Sequence, residues 1–238
     1  MKAKTLLFAS MLLMFGITVS AQTAEEIIAK YLQTTGGKEK ISQLNSVVME
    51  GTMEVMGNSG PMKMTTLNGK GYKSEIDVQG STLVTCFNDK DGWTINPFMG
   101  GGSPEAMPEG QYKSGKEQIF IGAPFVFYKE KGYQAELAGN ETIGDINAVK
   151  IKMTSPENNV VYYLFDPATG YLIRSVQQVD MQGSMVDNTM TFSDWKDVEG
   201  FPQPFKLNMN IGGQFEMTMI ISKVEYNKPI DAAIFVKP

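Results

Sequence analysis

Histidine is absent from the 238 residues, and that absence removes more chemistry than most motifs supply. A chain without histidine builds neither a Ser-His-Asp nor a Cys-His catalytic arrangement, and no histidine-ligated zinc centre. General acid–base work near neutral pH would fall to a perturbed carboxylate, lysine or tyrosine. Cysteine occurs once, at Cys86, so no intramolecular disulfide is available. The fold must rest on an apolar core, which a chain of this length can supply. Cys86 itself reads as a core residue, not a nucleophile. Basic residues number 21 against 26 acidic ones, with no polybasic face. That balance argues against a nucleic-acid partner and against charge-driven docking on anionic lipid.

The N-terminus is built for export. Lys2 and Lys4 precede an apolar stretch, Leu6 to Val19, that only Ser10, Gly16 and Thr18 interrupt. Val19-Ser20-Ala21 then supplies the small residues a signal peptidase needs. Residues 1–21 are therefore read as a signal peptide cleaved near Ala21/Gln22, and 22–238 as one domain. The apolar run falls short of the roughly 20 residues of a spanning helix; a retained membrane anchor is the alternative. A lipid anchor would need a cysteine just after the run, and Cys86 lies far downstream, so the mature chain is expected not to be lipid-anchored. Removing Lys2 and Lys4 takes the net charge from −5 to −7.

Thr23-Ala24-Glu25-Glu26 fits a capping box. Ile27, Ile28, Tyr31 and Leu32 follow at helical spacing, and Gly36-Gly37 stops the helix. A short second helix, Lys38 to Leu44, would bury Ile41 and Leu44. From Val47 the period becomes two: Val47, Met49, Met53 and Val55 share one face, with Glu50, Thr52 and Glu54 on the other. The alternation returns in 62–65 and in 72–78, where Tyr72, Ser74, Ile76 and Val78 point inward. Further runs are 83–87, 92–96, 134–138, 148–154, 160–165, 171–179, 185–195, 205–211 and 214–224. Turn signals such as Asn68-Gly69 and Asp166-Pro167-Ala168-Thr169-Gly170 separate them. Phe98 to Lys116 holds the run Gly100-Gly101-Gly102 with Pro104 and Pro108 and reads as a long loop, of the kind that serves as a lid or binding loop. Glu117 to Tyr128 is mostly apolar without a clear period. The expected class is mainly β: a strongly curved antiparallel sheet of about eleven strands, half-open as a barrel.

Methionine is plentiful. Of 17, three fall in 1–21, leaving 14. Met49, Met53, Met62 and Met64 lie on the inward face of the first strands, and Met209, Met217 and Met219 on the last two. Thioether chains are flexible and polarizable and suit a wall that must fit varied alkyl shapes; the same face could equally be plain core. The candidate ligand-binding residues are Met49, Met53, Val55, Met62, Met64, Tyr72, Ile76, Trp93, Met217 and Met219. Phe98 and Met99, an apolar pair on a glycine base, are candidates for membrane or partner contact. Asn88-Asp89-Lys90-Asp91 lacks the twelve-residue calcium pattern, and Asp145, Asp166 and Asp231 read as turn and cap residues. No metal, cofactor or catalytic residue is expected.

The order of several pieces resembles the lipoprotein-localisation (LolA/LolB-like) superfamily, and more narrowly the outer-membrane lipoprotein-sorting-like proteins of the Bacteroidota. They are Ala24-Glu25-Glu26-Ile27-Ile28-Ala29-Lys30-Tyr31 with Gly36-Gly37, Asp91-Gly92-Trp93, Gly139 to Asp145, Tyr163-Leu164-Phe165-Asp166-Pro167-Ala168-Thr169-Gly170, and Tyr226 to Asp231 with Phe235 and Pro238. The resemblance implies N-terminal helices and a lid segment covering the concave side of the half-barrel. It also implies a periplasmic carrier or binding protein for a lipid or lipoprotein acyl chain, with envelope proteins that load or receive it. The arginine that carriers of the family use has no counterpart here; Arg174, the single arginine, is not equated with it. The alternative is a non-catalytic cell-envelope interaction module whose concavity is solid core.

Overall fold

The computed structural model describes residues 22–99, 101–181 and 183–238; the signal-peptide reading concerns 1–21 and lies outside them. Helix α1 (Ala24–Thr34) begins with the expected capping box. The Glu26 amide donates to Thr23 Oγ1 at 3.2 Å, and the Thr23 amide donates to Glu26 Oε2 at 2.8 Å. It ends in a Schellman turn: Gly36 takes φ 118°, and the Gly37 amide donates to the Leu32 carbonyl at 2.8 Å. A side chain at Gly36 would also strike the Phe201 ring. The short α2 (Lys38–Ser42) follows. Among the described residues no helix is long and apolar enough to cross a membrane.

Thirteen strands form one antiparallel sheet. The first meander is β1 (Ser46–Val55), β2 (Asn58–Leu67), β3 (Gly71–Val78), β4 (Ser81–Asn88), β5 (Gly92–Asn96) and β6 (Gly101–Ala106). The second is β7 (Gln134–Ile143), β8 (Ile146–Thr154), β9 (Val160–Phe165), β10 (Leu172–Met181), β11 (Ser184–Val198), β12 (Phe201–Ile211) and β13 (Phe215–Tyr226). Within each meander neighbours in sequence are neighbours in space, and β1 pairs with β13 to join the two. The order runs from β6 at one edge to β7 at the other, so the sheet curves without closing. The mainly β, half-open architecture is the expected one, with thirteen strands where twelve runs were legible. The strand missed in the sequence is β6, hidden in the glycine-rich stretch read as a loop. An edge strand tolerates Pro104 because one side of it needs no ladder hydrogen bond.

The chain between the edge strands crosses the concave side. It contains α3 (Glu109–Gly115), a 3₁₀ turn at Lys116–Ile119 and a strap over 120–128. Phe125 and Val126 of the strap pack with Ile27, Ile28 and Leu32 of α1 against Ile151, Phe165 and Leu172. A second cluster joins β1, β2 and β13 through Met53, Met62, Met219 and Ile221.

The opposite face of β3–β5 has its own cover. After β13, the Asn227 amide donates to the Ser46 carbonyl at 2.9 Å and Ser46 Oγ to the Lys228 carbonyl at 2.7 Å. The tail then lays Phe235 against Val84, Cys86 and Trp93. The Phe235 carbonyl accepts from Trp93 Nε1 at 3.0 Å, Asn88 Nδ2 at 3.2 Å and Cys86 Sγ at 3.5 Å. Gly71 lies beneath the ring, where a Cβ would approach it to 2.2 Å. Burial pushes the Cys86 thiol up to about 12, and the nearby Lys73 only partly offsets this.

Phe235→Ala is expected to lower unfolding stability by about 3–5 kcal/mol, the usual range for a fully buried phenylalanine. Native Cys86 should resist alkylation in the parent and label readily in that variant. Urea titration and timed iodoacetamide labelling check both.

Candidate functional site

The concave side is not filled evenly. An outer hollow of about 530 Å³ lies between β1–β3 and β8–β10. Its apolar wall includes Met49 and Met64 from the first meander, Phe120 from the strap, and Met153, Tyr163 and Leu207 from the second. Its mouth is polar, with Lys113, Glu117, Glu157, Asn159 and Gln177. Lys131 reaches Glu117 at 2.6 Å and Lys116 reaches Glu157 at 3.3 Å. A smaller inner chamber of about 270 Å³ lies beneath α1 and α2, walled by Leu32, Ile41, Leu44, Phe201 and Tyr226 among others.

One turn holds the covers in place. Asn68, between β2 and β3, donates from Nδ2 to the Leu44 carbonyl at 3.0 Å and accepts the Ile121 amide on Oδ1 at 3.1 Å. Its backbone amide donates to the Asn45 carbonyl, and that of Gly69 to the Ile119 carbonyl, both at 2.8 Å. A single amide side chain thus fastens the end of the helical plug and the start of the strap to the sheet. On the far side Lys30 of α1 donates to the Pro167 and Ala168 carbonyls, and Lys129 pairs with Glu25. Asn68 was legible only as a turn residue; nothing in its local sequence signals the two long-range partners.

The sequence candidates separate into groups. Met49, Met64 and Tyr72 line the outer hollow. Met53, Met62 and Met219 are buried, packed with Ile76 and Met217 in the cluster of β1, β2 and β13. Val55 ends β1 beside the exposed Met56 and borders a separate surface groove. Trp93 stands apart from the methionines. It pairs with Cys86 across β4 and β5, and strand alternation places both opposite Phe87, beneath the C-terminal cover. Phe98 is exposed in the 3₁₀ turn Pro97–Met99. Arg174 lies in another groove, 3.7 Å from Glu141 and beside Lys150 and Tyr162. Asp166 and Asp231 are turn residues, accepting from the Ala168 and Ala233 amides at 2.9 Å each.

The concave surface is a low-dielectric one. Burial raises the Tyr163 phenol well above the tyrosine range, pushes Tyr31 up to about 12, and raises Tyr72 against the opposing effect of Ser74. Tyr226 is likewise raised by burial, and Gln203 beside it moderates the shift without closing a hydrogen bond to the hydroxyl. Tyr226 Oη and Trp195 Nε1 are both enclosed without a partner. Among the described residues no cluster of His, Cys, Asp and Glu is arranged to hold a metal ion. Such a surface can accept hydrocarbon.

Solved structures share this architecture. A LolA superfamily protein from Nitrosomonas europaea superposes with a TM-score of 0.59 at 14% identity, covering 91% of this chain and 99% of its own. A DUF1329 family protein from Desulfovibrio piger gives 0.58 at 13%, covering 91% and 98%. An outer membrane lipoprotein-sorting protein domain from Vibrio parahaemolyticus gives 0.57 at 14%, covering 89% and 95%. No family model matches the sequence, and no curated protein does. The likeness is therefore one of fold, and the fold is LolA/LolB-like.

The buried phenols make stability fall in alkali. Tyr31 and Tyr163 hold their protons more tightly folded than unfolded, so their contribution is whole below the ordinary tyrosine range and is lost as pH rises through the folded values, toward about 12 for Tyr31 and higher still for Tyr163. Urea midpoints should drop across that window, and Tyr163→Phe should flatten the drop.

Proposed function

We propose that the protein is an exported, periplasmic carrier or binding protein for a lipid or lipoprotein acyl chain, housed in the outer hollow. The observation that carries this reading is the hollow itself: an apolar wall, a polar mouth, and a volume within the roughly 300–1,000 Å³ of ligand sites. A chain of a dozen methylenes buried there contributes on the order of 10 kcal/mol before any cost of opening. The amphipathic layout suits a ligand whose tail is hydrocarbon and whose head stays in water. The fold shared with a LolA superfamily protein and a lipoprotein-sorting domain supports the same reading. So does the leader-like start of the sequence, with Lys2, Lys4 and Val19-Ser20-Ala21. Envelope proteins that load and receive the ligand belong to this proposal, and catalysis does not.

Within the site, Met49, Met64 and Tyr72 form the contact wall. Met53, Met62, Met217, Met219 and Ile76 back it as a deformable layer, since unbranched thioether chains repack at low cost. A solid-core interaction module is the second reading, and the tight burial of Met53, Met62 and Met219 favours it.

Protein isolated from the periplasmic fraction should release a hydrophobic molecule on solvent extraction, detected by mass spectrometry, and should take up a fluorescent fatty acid. Met64→Glu, at a half-buried wall position, is expected to weaken that uptake at least about tenfold, because a carboxylate in an apolar wall is not compensated, while cooperative melting persists. Absence of both a co-purifying hydrophobe and probe uptake would leave the solid-core module as the reading.

A further inference from the structure

The outer hollow and the inner chamber have two wall residues in common, Met49 and Ala123. Met49 comes from β1, opposite Met64 on β2 and Val224 on β13. Ala123 comes from the strap, between Gly122 and Pro124. The two residues therefore stand where the spaces meet, one on the sheet and one on its cover. One is a flexible unbranched chain with three rotatable bonds. The other is the smallest side chain that still has a Cβ.

We propose that Met49, set against Ala123, determines how long a hydrocarbon chain the protein accepts. Shorter chains fill the outer hollow, and longer ones pass Met49 and end in the inner chamber. This rests on the reading that the hollow holds an acyl chain. Three features support it. First, the inner chamber, about 270 Å³, adds about half again to the 530 Å³ outside. It falls just under the roughly 300 Å³ where ligand sites begin, so it suits an extension better than a site of its own. Second, charge falls along the path. Lys113, Glu117 and Glu157 line the outer hollow, and no charged side chain lines the inner chamber. The inner wall is mainly rings and aliphatic carbon, with Trp195 Nε1 and Tyr226 Oη closed off from open space by their neighbours. A tail enters methyl end first. Third, the helical side of the inner chamber is braced: α1 is capped and anchored, and Asn68 ties Leu44 to the sheet.

The test uses the purified, delipidated protein and a series of straight-chain fatty acids of about eight to about eighteen carbons, displacing a fluorescent fatty acid. Affinity should rise about fourfold for each methylene buried, then level off at the length that fills both spaces. Met49→Phe narrows the passage and should bring the plateau to a length several methylenes shorter. Ala123→Leu narrows it from the other wall and should do the same. Met49→Ala should steepen the gain among the longer chains. Thermal melts establish that each variant is folded. A plateau at the parental length in any folded narrowing variant, or Met49→Ala with the parental profile, overturns the inference while leaving the carrier reading standing. Failure of the unmutated protein to bind any chain overturns both.

Discussion

Everything on the concave side depends on the ladder between β1 and β13. Among the described residues it is the one pairing between strands that are not consecutive, and it turns two separate meanders into a single curved sheet. Met49 faces Val224 and Met53 faces Met219 across this seam, so the methionine wall is drawn from both ends of the fold at once. With the chain's two terminal regions joined at the centre of the sheet, its free edges are pushed to the outside, at β6 and β7. The residues linking those edges cross the hollow. Lid and wall are thus both arranged around one strand pair. That pair also carries a bulge between Glu50 and Gly51, where Gly51 lets the Ile220 carbonyl approach to within 2.1 Å of where a Cβ would sit.

The methionines reconcile two demands that usually conflict. A cavity left empty in a rigid core costs stability in proportion to its volume. A wall of branched side chains would either leave that cost standing or fill the space permanently. Thioether chains close over a vacant hollow and yield when something enters. In the structure some of them, Met53, Met62 and Met219, are packed as core, while Met49 and Met64 border open space. The same residue type on one face therefore serves as filling and as lining, which is why composition alone left both readings of that face open.

Local chemistry was legible where it is self-contained. The Thr23/Glu26 box, the Gly36-Gly37 stop and the period-two runs each act within a few positions and formed where read, with β2 and β7 running longer than their alternating stretches. Three features depend on distant partners and were not legible. Strand β6 has little β-propensity and exists because β5 offers it a ladder. The strap shows no period because its residues face α1, the sheet and solvent in turn, held by Asn68 from some fifty positions away. The sequence grouped Trp93 with the methionine wall, whereas it packs with Cys86 and Phe235 under the tail. A helical spacing or a cap can be read from one segment; which side of a sheet faces a cover cannot.

The C-terminal cover has a consequence in time as well as space. Trp93 donates its indole hydrogen to a carbonyl 142 positions later, and β1 waits for β13, the last strand of the order. The first meander is thus synthesised long before either of its completing partners exists. Until then its outer apolar face and the free side of β1 stay open.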